Sequence, residues 1–229
     1  MQQKEIQNIL ESIISLPTDL HGCGSVSEKV LRGIYKHCYK LDIQNSIETG
    51  SGKTTMLFTN LSKHHEVFAL DIESSVEVVR ASPLINKESY HWINGPTQKT
   101  IPKFNFDKKY QVAYLDGPHG YPFPELEYYF IYPHIEKGGL LIVDDIIVPT
   151  IYNLYKVLKK DEMFEELEVI DATAFFRRTH AETFDPYGDG WWLQGYNKKH
   201  YPVPVNFKIF LKGLLPESIK LFLKKKLRR

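Results

Sequence analysis

The sequence predicts an α/β fold: a mostly parallel sheet with helices on both faces, preceded by a helical extension and followed by a C-terminal one. Three observations predict it. Short apolar runs alternate with helix-compatible segments from Ser46 to Asp161, the arrangement that places right-handed crossovers between parallel strands. A glycine turn, Gly50-Ser51-Gly52, follows one apolar run and leads into a helical one. Acids (Glu48, Asp71, Asp116, Asp144 and Asp145) stand at the carboxyl ends of such runs, where open α/β sheets bind their ligands.

Length and composition set the outer bounds. The 229 residues read as a single domain: N-terminal helices over 1–42, a ligand-binding core over 43–179, and a loop with a basic tail over 180–229. With 42% hydrophobic and 25% charged residues the chain is an ordinary globular one. Its 29 basic and 28 acidic residues leave a formal charge of +1, which argues against a nucleic-acid partner. The charge is uneven: Lys208 to Arg229 holds eight basic residues and one acid, leaving −6 for the remainder. Cys23 and Cys38 lack metal-ligand companions and read as reduced thiols of a cytoplasmic protein. The opening MQQKEIQNIL lacks the apolar core of a signal peptide, and no run of eighteen apolar residues exists to span a membrane.

Taken in order, residues 4–16 place Ile6, Ile9, Leu10, Ile13 and Ile14 on one helical face, ended by Pro17. Ser25 with Glu28 forms a capping box for a second helix over about 27–41. The lead-in to the glycine turn is the first strand, and Met56 to Leu61 continue a short helix behind the turn. GSGKTT ends like a phosphate-binding loop, but the full pattern needs a glycine five residues before Gly52, and Ile47 stands there. A phosphate-cradling loop using Lys53 is therefore the weaker reading.

EVFALD is a buried strand ending on Asp71, which lies 23 residues past Glu48. An acid there suits a ribose diol, because a carboxylate only accepts hydrogen bonds. Asp71 is the first choice with Ile72 beside it, and Glu73 is the reserve; the competing role is capping the helix over 74–82. A third strand over 90–93 opens into Gly95-Pro96-Thr97-Gln98, which sets Thr97 and Gln98 against an adenine edge or makes a polar turn. VAYLD is the fourth strand, and Asp116 closes it before the rigid loop Gly117-Pro118-His119-Gly120-Tyr121. A helix over about 124–135 is broken by Gly138-Gly139, and LLIVDD forms the fifth strand. A helix over about 150–161 then leads to LEVID and TAFFRR.

Asp116-Gly117-Pro118-His119-Gly120-Tyr121, followed by Gly138-Gly139 and Val143-Asp144-Asp145-Ile146, resembles the small class I O-methyltransferases. These are the enzymes related to catechol O-methyltransferase and to bacterial sugar and antibiotic methyltransferases. The resemblance spans Asn45 to Arg178; Glu48-x-Gly50-x-Gly52 is similar to the first motif of the class, and Gly95 to Gln98 to its adenine-contacting segment. It implies a Rossmann-like, seven-stranded sheet whose last strand is antiparallel. It also implies methyl transfer from S-adenosylmethionine (SAM) to a hydroxyl of a small-molecule or glycosidic acceptor. Glu48 would reach the cofactor's amino-acid end, with Gly50, Ser51, Gly52, Asp71, Ile72, Thr97, Gln98 and Asp116 completing its site.

In the catechol-type relatives a divalent metal is held by acids after the fourth and fifth strands. Those positions are Asp116, Asp144 and Asp145 here, hard oxygen ligands suited to Mg²⁺. Without a metal, the pair Asp144-Asp145 would cap the next helix. Where those relatives carry a general-base lysine, this chain has His119, whose ordinary pKa suits proton transfer near neutrality. His119 is thus the expected base, with Asp116 beside it; stacking on adenine or holding the loop are its other roles.

Past His180 the resemblance fades. FDPYGDGWWLQGYNKKHY, over 184–201, is an aromatic segment fit to cover a polyol, or else a homodimer contact or packing over the sheet edge. The tail over 217–229 mixes five large apolar residues with six basic ones. It reads as a solvated helix end, or as a peripheral contact with an anionic membrane. A non-catalytic membrane-associated module is the remaining alternative, and it would have no need of the strand-end acids.

Overall fold

The computed structural model of the chain describes residues 2–18, 20, 25–188, 190–200, 215 and 219. Cys23 and nearly all of the basic tail fall outside the described residues, and with them the membrane-contact reading of that tail. No helix among the described residues is long and apolar enough to cross a membrane.

Seven strands form one sheet. β1 (Ile43–Thr49), β2 (Ser62–Ala69), β3 (Tyr90–Asn94), β4 (Tyr110–Leu115), β5 (Ile135–Val143), β6 (Phe164–Ile170) and β7 (Thr173–Arg178) lie in the order β3-β2-β1-β4-β5-β7-β6. Every neighbouring pair is parallel except those made by β7, which runs antiparallel to β5 and β6. The sequence expectation of a mostly parallel seven-stranded sheet with an antiparallel last strand is met. β7 reverses because only Asp171 and Ala172 separate it from β6, a connection too short for a parallel crossover. Asp171 takes the left-handed conformation this tight turn requires (φ 51°).

The central strands end in step. Thr49 pairs with Phe68 on one side and Leu115 on the other, and Leu115 pairs with Val143. The chain therefore leaves β1, β2, β4 and β5 at one edge, between the two directions in which the sheet is wound.

Alternation along the strands splits the core into two layers. On one face Val112, Tyr114, Leu140, Ile142 and Phe175 pack with Leu10, Leu31, Ile34 and Phe58, which come from α1 (Gln2–Ile14), α2 (Glu28–Cys38) and α3 (Lys53–Leu61). On the other, Ala113, Leu115, Leu141, Val143 and Phe176 pack with Ile131, Ile151 and Leu154, from α6 (Phe123–Ile131) and α7 (Pro149–Leu158). α4 (Ser75–Arg80), α5 (Thr97–Thr100) and α8 (Gly195–His200) are short.

Two local expectations are corrected. The cap of α2 is Ser27, not Ser25: the Ser27 hydroxyl accepts the Val30 amide at 3.3 Å and donates to Asp171 at 2.6 Å. Ser25 is left with a buried hydroxyl that has no partner among the described residues. Gly138 and Gly139 do not break a helix; they lie within β5, and α6 ends in a tight turn over Tyr132–His134 around Pro133.

Candidate active site

The loops beyond the strand ends enclose a cavity of about 700 Å³, well within the size of small-ligand sites. Ala69 at the end of β2 and Ile72 after it, Thr97 and Gln98 after β3, and Asp116 and His119 after β4 border it. Gly50 and Ser51 border it from the glycine turn, and Asp144 and Asp145 from the end of β5. Gly50 holds a left-handed φ of 90°, and a Cβ there would come within 2.5 Å of the Asp116 carbonyl. Only glycine lets the β1 turn press so closely on the β4 loop.

Glu48 is placed otherwise than expected. It is 1% exposed and does not border the cavity. Its oxygens accept from the hydroxyl of Thr54, from Thr55 at 2.7 Å and from His65 at 3.1 Å. Two first-turn hydroxyls of α3 and an imidazole from β2 occupy the carboxylate, so it braces the glycine turn from behind. Gly52 is buried and donates its amide to Thr55 at 2.9 Å, again away from the cavity. Lys53 donates to the Leu16 carbonyl at 2.6 Å, and burial lowers its pKa. An ammonium tied to the turn after α1 is turned away from the cavity, which tells against the phosphate-loop reading.

Asp71 does the capping job that sequence reasoning set beside the ribose role. One carboxylate oxygen accepts the Val76 amide of α4 at 2.8 Å, across a turn in which Glu73 and Ser74 are both left-handed. Ile72, 55% exposed, borders the cavity with an apolar face. Thr97 is buried at the start of α5, and its hydroxyl lies 3.5 Å from the Gln98 side chain.

The acids after β4 and β5 divide. Asp144 is buried and takes three donors: Tyr114 and Thr173 each donate at 2.5 Å, and the Asp145 amide donates at 2.9 Å. Asp116, Asp145 and His119 are instead brought together, with one ligand atom of each within 4.8 Å of the others. This cluster contains His119 and not Asp144, which the expected trio of Asp116, Asp144 and Asp145 includes. Nε2 of His119 lies 3.6 Å from Asp116 and 3.3 Å from Asp145. The Asp116 carboxylate holds the imidazole above its ordinary pKa, against partial burial. Burial pushes Asp116 up to about 7, with the charges of Asp144 and Asp145 adding and His119 opposing. Thr150 at the start of α7 donates to the His119 carbonyl and anchors the loop.

Sequence reasoning missed Glu127. It sits on the buried stripe of α6 with Pro124 and Ile131 and accepts the Thr49 hydroxyl at 2.8 Å. The available signal was an acid falling on an otherwise apolar helix face. The aromatic segment expected to cover the cleft does not border it among its described residues. Tyr132 and Tyr129 hold it along α6 through the carbonyls of Phe184 and Pro186, at 2.8 and 3.1 Å.

Residues 47–146 match a family model described as a methyltransferase domain. No curated protein is significantly similar in sequence. Solved structures share the fold. A protein from Staphylococcus aureus assigned as a caffeoyl-CoA O-methyltransferase has a TM-score of 0.60 at 16% identity, covering 76% of this chain and 91% of that one. An O-methyltransferase from Bacillus cereus, solved with S-adenosylhomocysteine, has a TM-score of 0.55 at 14% identity, covering 77% and 90%. TomG from Streptomyces achromogenes, an O-methyltransferase solved with SAM, has 0.56 at 10%, covering 78% and 89%. The matched span runs from β1 to the residue after Asp145 and contains the glycine turn, Asp116 and His119. Residues 47–146 thus match a methyltransferase domain, and the chain shares the fold of solved O-methyltransferases.

Proposed function

We propose that the chain is a SAM-dependent O-methyltransferase acting on a hydroxyl of a small-molecule or glycosidic acceptor. The observation that carries this reading is His119, wedged between Asp116 and Asp145 at the border of the strand-end cavity. Gly50 and Ser51 offer backbone to the methionine part of the cofactor, Thr97 and Gln98 polar groups to adenine, and Ile72 an apolar face. Asp71 lies between the border residues Leu70 and Ile72 without itself lining the cavity, and it keeps a second carboxylate oxygen for the ribose. The acids along the cavity favour a sulfonium cation.

The acceptor oxygen attacks the methyl carbon in line with the breaking carbon–sulfur bond, whose electron pair stays on sulfur. The chain's task is to hold donor and acceptor in that line and to receive the hydroxyl proton. His119 receives it on the nitrogen that faces the two carboxylates, which stabilise the resulting imidazolium. Two carboxylates and an imidazole also fit a divalent cation. Asp116, Asp145 and His119 would hold it, and it would supply a lowered pKa of the acceptor hydroxyl. Base and ligand roles compete for the same imidazole, so chelation separates them.

Calorimetric titration with SAM, S-adenosylhomocysteine and ATP tests the cofactor, with binding of the first two and none of ATP expected. Binding of ATP alone would sink the reading. Release of S-adenosylhomocysteine with hydroxylated acceptors, with and without EDTA, tests the chemistry. Activity that survives EDTA keeps His119 as the base and removes the metal.

A further inference from the structure

α6 buries a carboxylate on the stripe that holds it to the sheet. Glu127 is 1% exposed, and no described cation forms an ion pair with it. Such a group persists only where its hydrogen bonds matter to the structure around it. Its Oε2 accepts from the Thr49 hydroxyl at 2.8 Å, and the Thr49 oxygen in turn accepts the Asp116 amide at 3.0 Å. A threonine hydroxyl has one hydrogen. Donating it to Glu127 turns the oxygen lone pairs toward Asp116.

The other carboxylate oxygen, Oε1, has no partner in hydrogen-bond geometry among the described residues; the Thr97 hydroxyl lies near enough to favour the charged carboxylate, and Oε1 lies beneath Gly117, where a Cβ would come within 1.9 Å of it. Asp116 is therefore held at its amide by Thr49, at its carbonyl by the close approach of Gly50, and at the next residue by Glu127. No other residue of the cavity border has its backbone fixed from three elements in this way among the contacts described above.

We infer that Glu127 is a positioning residue: by orienting the Thr49 hydroxyl and underlying Gly117, it sets where Asp116 presents its carboxylate to His119 and to the ligand. The consequence for turnover rests on the proposed methyl transfer; the consequence for the backbone does not.

Three variants test it: Thr49→Val, Glu127→Leu and Glu127→Gln. The readouts are amide exchange at Asp116 by NMR, steady-state methyl transfer and the melting temperature. Thr49→Val and Glu127→Leu should each speed exchange at Asp116 about tenfold. They should lower kcat about tenfold or more, since small misplacements near reacting groups are costly, and change KM for SAM less than about threefold. In Glu127→Gln the amide oxygen still accepts from Thr49, so both readouts should stay within about threefold of the parent. A lowered melting temperature with unchanged exchange and kcat would show a packing role only and overturn the inference. Equal losses in the Gln and Leu variants would overturn it too, by removing the hydrogen-bond route. If Glu127→Leu does not fold, Thr49→Val carries the same expectation. Should the parent protein transfer no methyl group and bind no SAM, the functional reading fails, while exchange at Asp116 still decides the positioning.

Discussion

A histidine between two carboxylates is held in its protonated form more firmly than a free one. To accept a proton, His119 must first be neutral, and the Asp116 carboxylate raises the pH at which that happens. The rate should therefore climb as pH rises past a midpoint above 6.5, the ordinary value, and fall away below it. His119→Ala should lose about 10²- to 10⁴-fold in kcat and with it that acidic limb, as read from pH–rate profiles. Buried acids act in the opposite sense on stability. Burial raises Asp116 and Glu127 to about 7 each. The folded state then holds protons that the unfolded state has released, so their contribution is full below the ordinary carboxylate range and is lost as pH rises through about 7. Glu127→Gln should melt higher than the parent at pH 8, with the gap closing toward pH 4; melting curves across that range check it.

At the scale of elements, the glycine turn and α4 show how strand ends are divided between structure and ligand. Glu48 is spent on the first turn of α3, whereas Asp71 uses one oxygen to cap α4 and leaves the other. Asp71→Asn keeps a carbonyl oxygen for the Val76 amide but replaces the free acceptor with a donor. The expected result is an unchanged melting temperature with about tenfold weaker SAM binding by calorimetry, a difference of roughly 1.4 kcal/mol. Unchanged affinity would leave Asp71 as a cap alone. α6 repeats the division: Ile131 packs in the core while Glu127, on the same stripe, reaches back to β1.

For the whole molecule, the winding reverses between β1 and β4, and the cavity opens where it does. The antiparallel β7 then closes the sheet beside β5 and carries Phe175 into the layer under α1, α2 and α3. Phe175 is fully buried, and its ring lies 5.3 Å from that of His37 on α2. Phe175→Ala should cost about 3–5 kcal/mol, because it removes a fully buried ring and leaves a cavity that its surroundings refill only in part. A melting temperature lowered by about ten degrees or more would report that loss.

The sequence by itself determined the parallel sheet, the order of its strands and helices, and the gathering of Gly50, Thr97, Asp116 and His119 at one edge. Those features follow from periodicity and from where polar residues interrupt apolar runs, both of which are local. Only the tertiary structure decided which acids are taken up by hydrogen bonds within the protein. Glu48, Asp144 and Asp145 look alike in the sequence. The hydroxyls of Thr54, Thr55, Tyr114 and Thr173 and the His65 imidazole, which occupy the first two, come mostly from segments distant in the chain. A carboxylate's role is set by the donors that reach it, and the fold alone determines which donors those are.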